Sequence, residues 1–453
     1  MKNTSNIKFY PHQAKELEET KNLNKVAYYH DMGLGKTFTG AEKLIQLGAN
    51  VNLIICQKSK IDDWIEHFAT HYQFGENATN VYDLTKKSNM DKMFDFIKYN
   101  TARNIFIINY ELAFRRKELL KLNDFTLMLD ESSMIQNETA KRSKFIMKLN
   151  FKNIILLSGT PTSGKYEKLW SQLHLLGWNI SKDLFWKQYV DVEYLDNEGF
   201  PIKVVRGYKN VERLKQKMRD YGCRFLKTDE VFDLPEQVFN TIRIDTTKEY
   251  RVFKKDRIVT VEDTELVGDT TLTKMLYERM LCGSYNPNKL EALKDLLESS
   301  DDRIIIFYNF NEEARLIVDL CEELDRPYSV VNGKGKDLTN YENFDNSVTL
   351  IQYQAGAMGL NLQKANKIIY FTPTLNSELF EQSKKRIHRI GQNSSCFYYM
   401  LTCKNSIEEK IYKVLAERRD YTDKLFEEDE VKWLNLWLVY SLGFWWLLEL
   451  CLF

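Results

Sequence analysis

Short apolar runs alternate with amphipathic stretches along this chain, and the alternation stops near the middle and then starts again. Few folds accept such a rhythm. Parallel strands need a covered crossover between them, so apolar runs separated by amphipathic helices predict a parallel sheet with helices on its faces. In the first half the candidate strands are Val51–Cys56, Ile105–Asn109, Thr126–Asp130 and Asn153–Leu157, with helices starting near Lys36, Ile61, Glu111 and Thr139. From about Tyr166 to Cys223 the pattern reads as mostly helical and rich in Lys, Tyr and Trp, and D-L-P-E-Q-V (Asp233–Val238) reads as a linker. Strands resume at Arg303–Tyr308, Tyr328–Val331, Val348–Tyr353, Lys367–Phe371 and Phe397–Leu401. The economical expectation is α/β architecture: two parallel-sheet lobes in tandem with a helical insertion between them. The corresponding divisions are a first lobe over 1–165, a helical insertion over 166–232, an inter-lobe linker over 233–285, a second lobe over 286–425 and a tail over 426–453.

A chain of 453 residues has room for two or three cores. Lys+Arg and Asp+Glu both total 64, so net charge gives no argument for nucleic acid, and any such surface must be a local groove. The seven cysteines show no C-x-x-C spacing, which argues against a metal cluster or disulfide framework and fits a reducing cytoplasm. M-K-N-T-S-N-I-K-F-Y-P-H-Q at the start has no apolar run, so no signal peptide is expected.

Five segments carry chemistry. H-D-M-G-L-G-K-T (His30–Thr37) places Met32, Gly33, Leu34 and Gly35 in a tight loop before a helix, whose backbone N–H groups can cradle phosphates. Lys36 would neutralise the β- and γ-phosphates and the Thr37 hydroxyl would ligate Mg²⁺, although His30 holds the position of the usual first glycine. L-M-L-D-E-S-S (Leu127–Ser133) ends a strand in two carboxylates: Asp130 suits the Mg²⁺ shell and Glu131 the attacking water. S-G-T-P (Ser158–Pro161) closes the next strand and suits a coupling loop. Q-A-G-A-M-G-L-N-L-Q (Gln354–Gln363) places Gly356 and Gly359 where a phosphate backbone could approach. Finally, Q-S-K-K-R-I-H-R-I-G-Q (Gln382–Gln392) spaces Arg386 and Arg389 so that on a helix they share a face. A second domain would thereby offer arginines to a transferring phosphoryl group, although by itself K-K-R-I-H-R reads first as a solvated basic face or a nucleic-acid patch.

Taken in order, D-M-G-L-G-K-T, C-Q-K-S-K-I-D-D-W-I-E-H-F (Cys56–Phe68), N-Y-E (Asn109–Glu111), D-E-S-S-M-I-Q-N, S-G-T-P, D-L-P, G-L-N-L-Q and R-I-H-R-I-G-Q resemble the Swi/Snf-like ATPases of helicase superfamily two, relatives of the DEAD/DEAH-box helicases. The resemblance runs from about Phe9 to about Arg419. It implies two RecA-like lobes, ATP as nucleotide with Mg²⁺, and Gln13 as the residue that reads adenine. It further implies that Lys36, Thr37, Asp130 and Glu131 form the hydrolytic centre, with Gly359 and Gln382 against the nucleotide and Arg386 and Arg389 supplied from lobe two, Arg389 as the finger. Ser59, Asn109, Tyr110, Ser158, Gly159, Thr160, Gln354, Gly356 and Asn361 would couple the lobes or follow the nucleic-acid backbone. The expected partner is double-stranded DNA, with single-stranded DNA or RNA as alternatives, in a minimal motor of bacterial or viral type. Ser133 departs from the family, standing where relatives usually carry His.

W-L-N-L-W-L-V-Y-S-L-G-F-W-W-L-L-E-L-C-L-F (Trp433–Phe453) is long and apolar enough to span a bilayer. Glu449 and the acidic flank disfavour that reading, which leaves membrane contact open beside packing against the protein or a partner. Trp64 reads as a core residue of its helix, and His67 with His71 as a solvated face rather than a zinc site.

Overall fold

A computed structural model describes residues 7–72, 78–99, 102–162, 164–197, 200–356 and 360–426. The first lobe is built on β1 (Lys25–His30), β2 (Val51–Cys56), β3 (Thr79–Asp83), β4 (Arg103–Asn109), β5 (Asn123–Asp130) and β6 (Asn150–Leu157). An antiparallel hairpin follows, β7 (Val190–Asn197) and β8 (Phe200–Tyr208), and then β9 (Cys223–Leu226). The sheet order is β3-β4-β2-β5-β6-β1-β9, parallel at every pairing. Strand β2 shows why the runs are continuous rather than alternating. Leu53 and Ile55 enter one apolar cluster while Ile54 and Cys56 enter another on the opposite face. Both faces are covered, so both sets of side chains must be apolar.

The second lobe contains β10 (Gln237–Ile244), a small hairpin of β11 (Ile258–Val261) and β12 (Thr264–Val267), then β13 (Ile304–Tyr308), β14 (Tyr328–Asn332), β15 (Gly335–Lys336), β16 (Val348–Gln352), β17 (Lys367–Tyr370) and β18 (Cys396–Cys403). Its order is β10-β18-β17-β13-β16-β14-β15, parallel except where β15 turns back on β14.

Two sequence expectations differ from this arrangement. The stretch read as a helical insertion carries the β7–β8 hairpin, and its last strand, β9, pairs with β1 as an edge of the first sheet. The stretch read as a linker carries β10, which runs beside β18 from the Gln237–Cys396 pair to the Ile244–Cys403 pair. Both misreadings concern edge strands. An edge strand is half solvated and keeps polar residues, so its apolar signal is weak; Q-V-F-N-T-I-R-I is of this kind.

The helices used below are α1 (Pro11–Glu19), α2 (Lys36–Gln46), α3 (Ile61–His71), α4 (Thr271–Cys282), α5 (Pro287–Glu298), α6 (Ser377–Lys384) and α7 (Ile407–Phe426). Beneath lobe two, Lys289 of α5 and Glu408 of α7 form a fully buried ion pair, Nζ lying 2.6 and 2.7 Å from the two carboxylate oxygens. Cys403 N donates to the same carboxylate at 2.9 Å. Among the described residues Cys282, Cys403 and Glu408 are the cluster whose donor atoms could hold a metal. The lysine occupies that carboxylate, so the group reads as a salt bridge. Among the described residues no helix is long and apolar enough to cross a membrane, and Trp433–Phe453 lies outside them.

Candidate active site

Three adjacent strands, β5, β6 and β1, deliver the first-lobe motifs to one edge of the sheet. The register sets Asp130 of β5 beside Leu157 of β6, and Leu157 beside Tyr28 of β1. The loops leaving these carboxyl ends therefore meet, as in open α/β sheets generally. Between β1 and α2 the chain turns through Gly33 and Gly35 at φ of 90° and 70°, a region that disfavours side chains. The amide of Gln13 on α1 donates to Leu34 O and Gly35 O at 3.3 and 3.2 Å, and His12 Nε2 lies 3.1 Å from Leu34 O. Gln13 thus braces the loop from outside, a contact that the adenine-reading expectation did not include.

Lys36 Nζ folds back on the loop, donating to His30 O at 2.7 Å and Asp31 O at 3.0 Å. Burial lowers its pKa, while Glu131, Asp31 and Asp130 pull in the opposite direction. Asp130 Oδ2 accepts the indole N–H of Trp64 on α3 at 2.8 Å. Glu131 takes left-handed backbone angles, φ 58° and ψ 61°, the strain often stored at functional positions. Its Oε1 accepts Ser158 Oγ at 2.6 Å and Ser133 Oγ at 3.1 Å. Tyr110 OH donates to the carbonyls of Asp130 and Glu131 at 3.0 and 3.3 Å. Burial raises the pKa of both carboxyls against the lowering effect of these donors. Two adjacent half-buried carboxylates of this kind, with a lysine beside them, are a hard-oxygen donor set that fits Mg²⁺. The Thr37 hydroxyl, half-buried in the first turn of α2, would complete it.

His30, at the end of β1, is buried, and neither ring nitrogen has a partner among the described residues. Burial, with Lys36 and His12 near by, lowers its pKa to about 3. The imidazole is therefore neutral and acts as packing beneath the loop.

Across the cleft, α6 ends at Lys384 and Lys385 caps it. Arg386 and Arg389 lie in the turns that follow, so the shared helical face expected for them does not exist. Tertiary bonds draw the chain off the helix: Tyr398 OH donates to Lys384 O at 3.0 Å, and His388 Nε2 lies 2.9 Å from Pro235 O. Gln392 then pins the turn through Nε2 to Gln363 O, Ala365 O and Ile387 O at 3.2, 2.9 and 3.3 Å. The two arginines nevertheless reach lobe one. Arg386 is buried, its Nη1 3.4 Å from Leu360 O, while Nε and Nη2 have no partner among the described residues. Burial and the neighbouring Arg389 lower its pKa to about 10, with Glu131 pulling upward. Arg389 hydrogen-bonds Asn361 and passes over the phosphate loop, its Cβ 3.8 Å from where a Cβ on Gly33 would stand.

The remaining expected positions divide in two. Ser158, Gly159 and Thr160 belong to the cluster: Thr160 N donates to Ser158 Oγ at 3.2 Å, and a Cβ on Gly159 would lie 3.4 Å from Lys36 Nζ. Gln382 joins it through Glu378, at 3.3 Å. Asn109 is buried and bonded to Glu111 at 2.7 Å. Ser59, Gln354 and Asn361 are exposed, and Gly356 ends the short helix after β16. Gly359 lies outside the described residues. Trp64 is a core residue as expected, and its indole N–H bond to Asp130 is the part that the sequence did not signal. His67 is buried rather than solvated, packed on Phe38 and Phe68.

With this geometry in hand, comparison with known proteins is specific. The family model described as SNF2-related domain matches residues 18–286, and the helicase conserved C-terminal domain model matches residues 288–391. The chain belongs to the SNF2-related family. Its two matched domains, in this order, are those of helicase superfamily two. Among similar proteins, the ISWI chromatin-remodeling complex ATPase ISW2 of Saccharomyces cerevisiae is 24% identical over 86% of this chain and 38% of its own length. The DNA repair and recombination protein RAD26 of the same yeast is 26% identical over 89% of this chain and 40% of its own. This SNF2-related chain therefore spans about two fifths of the length of such relatives. A solved Sulfolobus solfataricus SWI2/SNF2 ATPase core in complex with dsDNA aligns with a TM-score of 0.44 at 20% identity, covering 93% of each chain.

Proposed function

We propose that this SNF2-related ATPase is a motor that hydrolyses ATP to move along double-stranded DNA during replication, repair or recombination. The observation that carries the reading is that Arg386 of lobe two is buried with Nε and Nη2 unpartnered among the described residues, and that its guanidinium feels the charge of Glu131 in lobe one. In this reading Lys36 leaves the His30 and Asp31 carbonyls for the phosphates, and Gly33 and Gly35 let the backbone approach them. Glu131, held by Ser158 and Ser133, orients water. Asp130 and Thr37 would hold Mg²⁺, which when bound would offset the phosphate charge. Arg386, with Arg389, meets the charge of the transferring phosphoryl group. Because the arginines and carboxylates sit on different lobes, hydrolysis is coupled to lobe movement. Ser59, with Gln354, Gly356 and Asn361, would follow the DNA backbone, while the buried Asn109 and Tyr110 would couple that surface to the carboxylates. A strand-separating DNA or RNA helicase shares every ATPase residue and is the alternative.

The test is ATP turnover with duplex DNA, single-stranded DNA and RNA, paired with triplex-strand displacement. Duplex DNA is expected to stimulate hydrolysis, and Lys36→Ala or Glu131→Gln to lower it by about 10³-fold or more. Stimulation by single strands or RNA with duplex DNA inert would overturn the translocase reading in favour of strand separation.

A further inference from the structure

The basic turn after α6 crowds several cations together. Lys384 has Glu381 at 2.6 Å on its own helix, and Arg389 has Asn361. Lys385 finds its anion in the other lobe. Its Nζ lies 3.1 Å from Asp31 Oδ2, with both side chains about one-fifth exposed, at 20% and 23%. Asp31 is unusually well tied for a loop residue. The same Oδ2 accepts Thr228 N and Oγ1, each at 3.2 Å, its N–H donates to Leu226 O at 2.9 Å, and its own carbonyl accepts Lys36 Nζ. This one residue therefore touches the phosphate-loop lysine, the last strand of lobe one and the arginine turn of lobe two. Burial alone would raise the Asp31 pKa, but Lys385 and Thr228 outweigh it, so the carboxyl stays ionised.

A second contact crosses the cleft from α6. Ser133 Oγ stands 2.8 Å from Glu378 Oε1 in lobe two and 3.1 Å from Glu131 Oε1 in lobe one. A hydroxyl has one proton to donate, so it serves one carboxylate at a time. One crossing is thus a fixed ion pair, and the other is a hydrogen bond that can change sides.

We propose that Asp31 and Lys385 are positioning residues: their ion pair is an inter-lobe strut that sets Arg386 against the catalytic carboxylate, with Ser133 and Glu378 as a weaker second strut. The proposal rests on the ATPase reading above, and the strut acts on the placement of the arginine rather than on ATP itself. Lys385 is covalently next to Arg386, so a lobe displacement that breaks the pair moves the guanidinium directly. A misplacement of about 1 Å at a reacting centre can cost about 10²-fold.

The experiment is a double-mutant cycle of Asp31→Asn and Lys385→Met, read in two ways. Duplex-stimulated ATP turnover is the first. The second is the inter-lobe distance distribution by fluorescence transfer between dyes on the exposed positions Lys121→Cys and Lys334→Cys, with Cys451→Ser in the background because the other cysteines are buried. Each single variant is expected to lower kcat by about 10- to 100-fold with a smaller change in ATP KM, and to broaden the distance distribution. The double variant is expected to match the worse single one. Additive losses, or a distance distribution unchanged in all variants, would overturn the strut. Failure of the ATPase reading would instead appear as absent turnover in the parent protein, while the distance measurement still decides the strut.

Discussion

The two lobes treat their functional side chains in opposite ways. In lobe one the reactive groups are already bonded: Lys36 to two loop carbonyls, Asp130 to Trp64, and Glu131 to Ser158 and Ser133. In lobe two Arg386 is buried with two of its nitrogens unpartnered among the described residues. A buried unpaired donor is costly, so the surroundings must hold it there. The contrast teaches that lobe one is a preorganised site and lobe two presents a group whose partner comes from outside its own fold. The supports differ accordingly: lobe one rests on polar bonds at its strand ends, lobe two on the ion pair between α5 and α7.

The largest break in this comparison comes from removing that lower support. Lys289→Ala leaves Glu408 charged and buried, and should destabilise lobe two by about 3–5 kcal/mol. Denaturant unfolding would show an early transition assigned to lobe two, while nucleotide binding to lobe one persists until its own transition. Equal loss in both lobes would mean that they unfold as one unit and that the division of supports is wrong.

A smaller effect tests the preorganisation of lobe one. Trp64→Phe keeps the ring in the core but removes the N–H that holds Asp130. A hydrogen bond to a charged group contributes about 1.5–3 kcal/mol, so the Mg²⁺ concentration needed for half-maximal nucleotide binding should rise roughly 10- to 100-fold. Binding measured without Mg²⁺ should change little. An unchanged Mg²⁺ dependence would reduce Trp64 to the core residue its sequence context suggests.

The smallest effect is in pH. His30 has a native pKa of about 3 and His67 of about 4, both lowered chiefly by burial. The unfolded chain therefore binds these protons first. Stability contributed by the neutral rings is complete above the unfolded value near 6.5 and is lost as pH falls below it. At pH 5.5 each histidine should cost about 1.4 kcal/mol relative to pH 7.5. His30→Gln should remove that share of the acid-side slope in denaturant titrations and leave the stability change above pH 7 flat; an unaltered slope would place a proton on His30 in the native state.

Most central strands were legible because burial on both faces makes them continuous apolar runs, as in V-N-L-I-I-C and I-F-I-I-N; β1, K-V-A-Y-Y-H, was not among the expected strands although it is central. Edge strands β9 and β10 were not, since one side faces solvent and their residues alternate. The phosphate loop and the Asp130–Glu131 pair could be read because each follows directly from a strand. The geometry of Arg386 and Arg389 could not be, because local spacing favours a helix and distant residues decide otherwise: Tyr398, Pro235 and the Gln392 contacts are far away in sequence or invisible as a pattern. Trp64 is the core residue the sequence suggested, but its bond to Asp130 was hidden for the same reason. An indole in an amphipathic helix looks like core, and only the fold brings its N–H to Asp130.

The claim that the site is shared across the cleft is tested most directly by single-turnover ATP hydrolysis, with nucleotide affinity measured alongside, in Glu131→Gln, Arg386→Ala and the double variant. Residues that act as a unit lose their effects non-additively. Each single change is expected to slow hydrolysis by about 10³-fold while ATP binding stays within a few-fold, and the double variant to be no slower than the slower single one. Losses that multiply in the double variant, or hydrolysis unaffected by Arg386→Ala, would contradict an active site divided between the lobes.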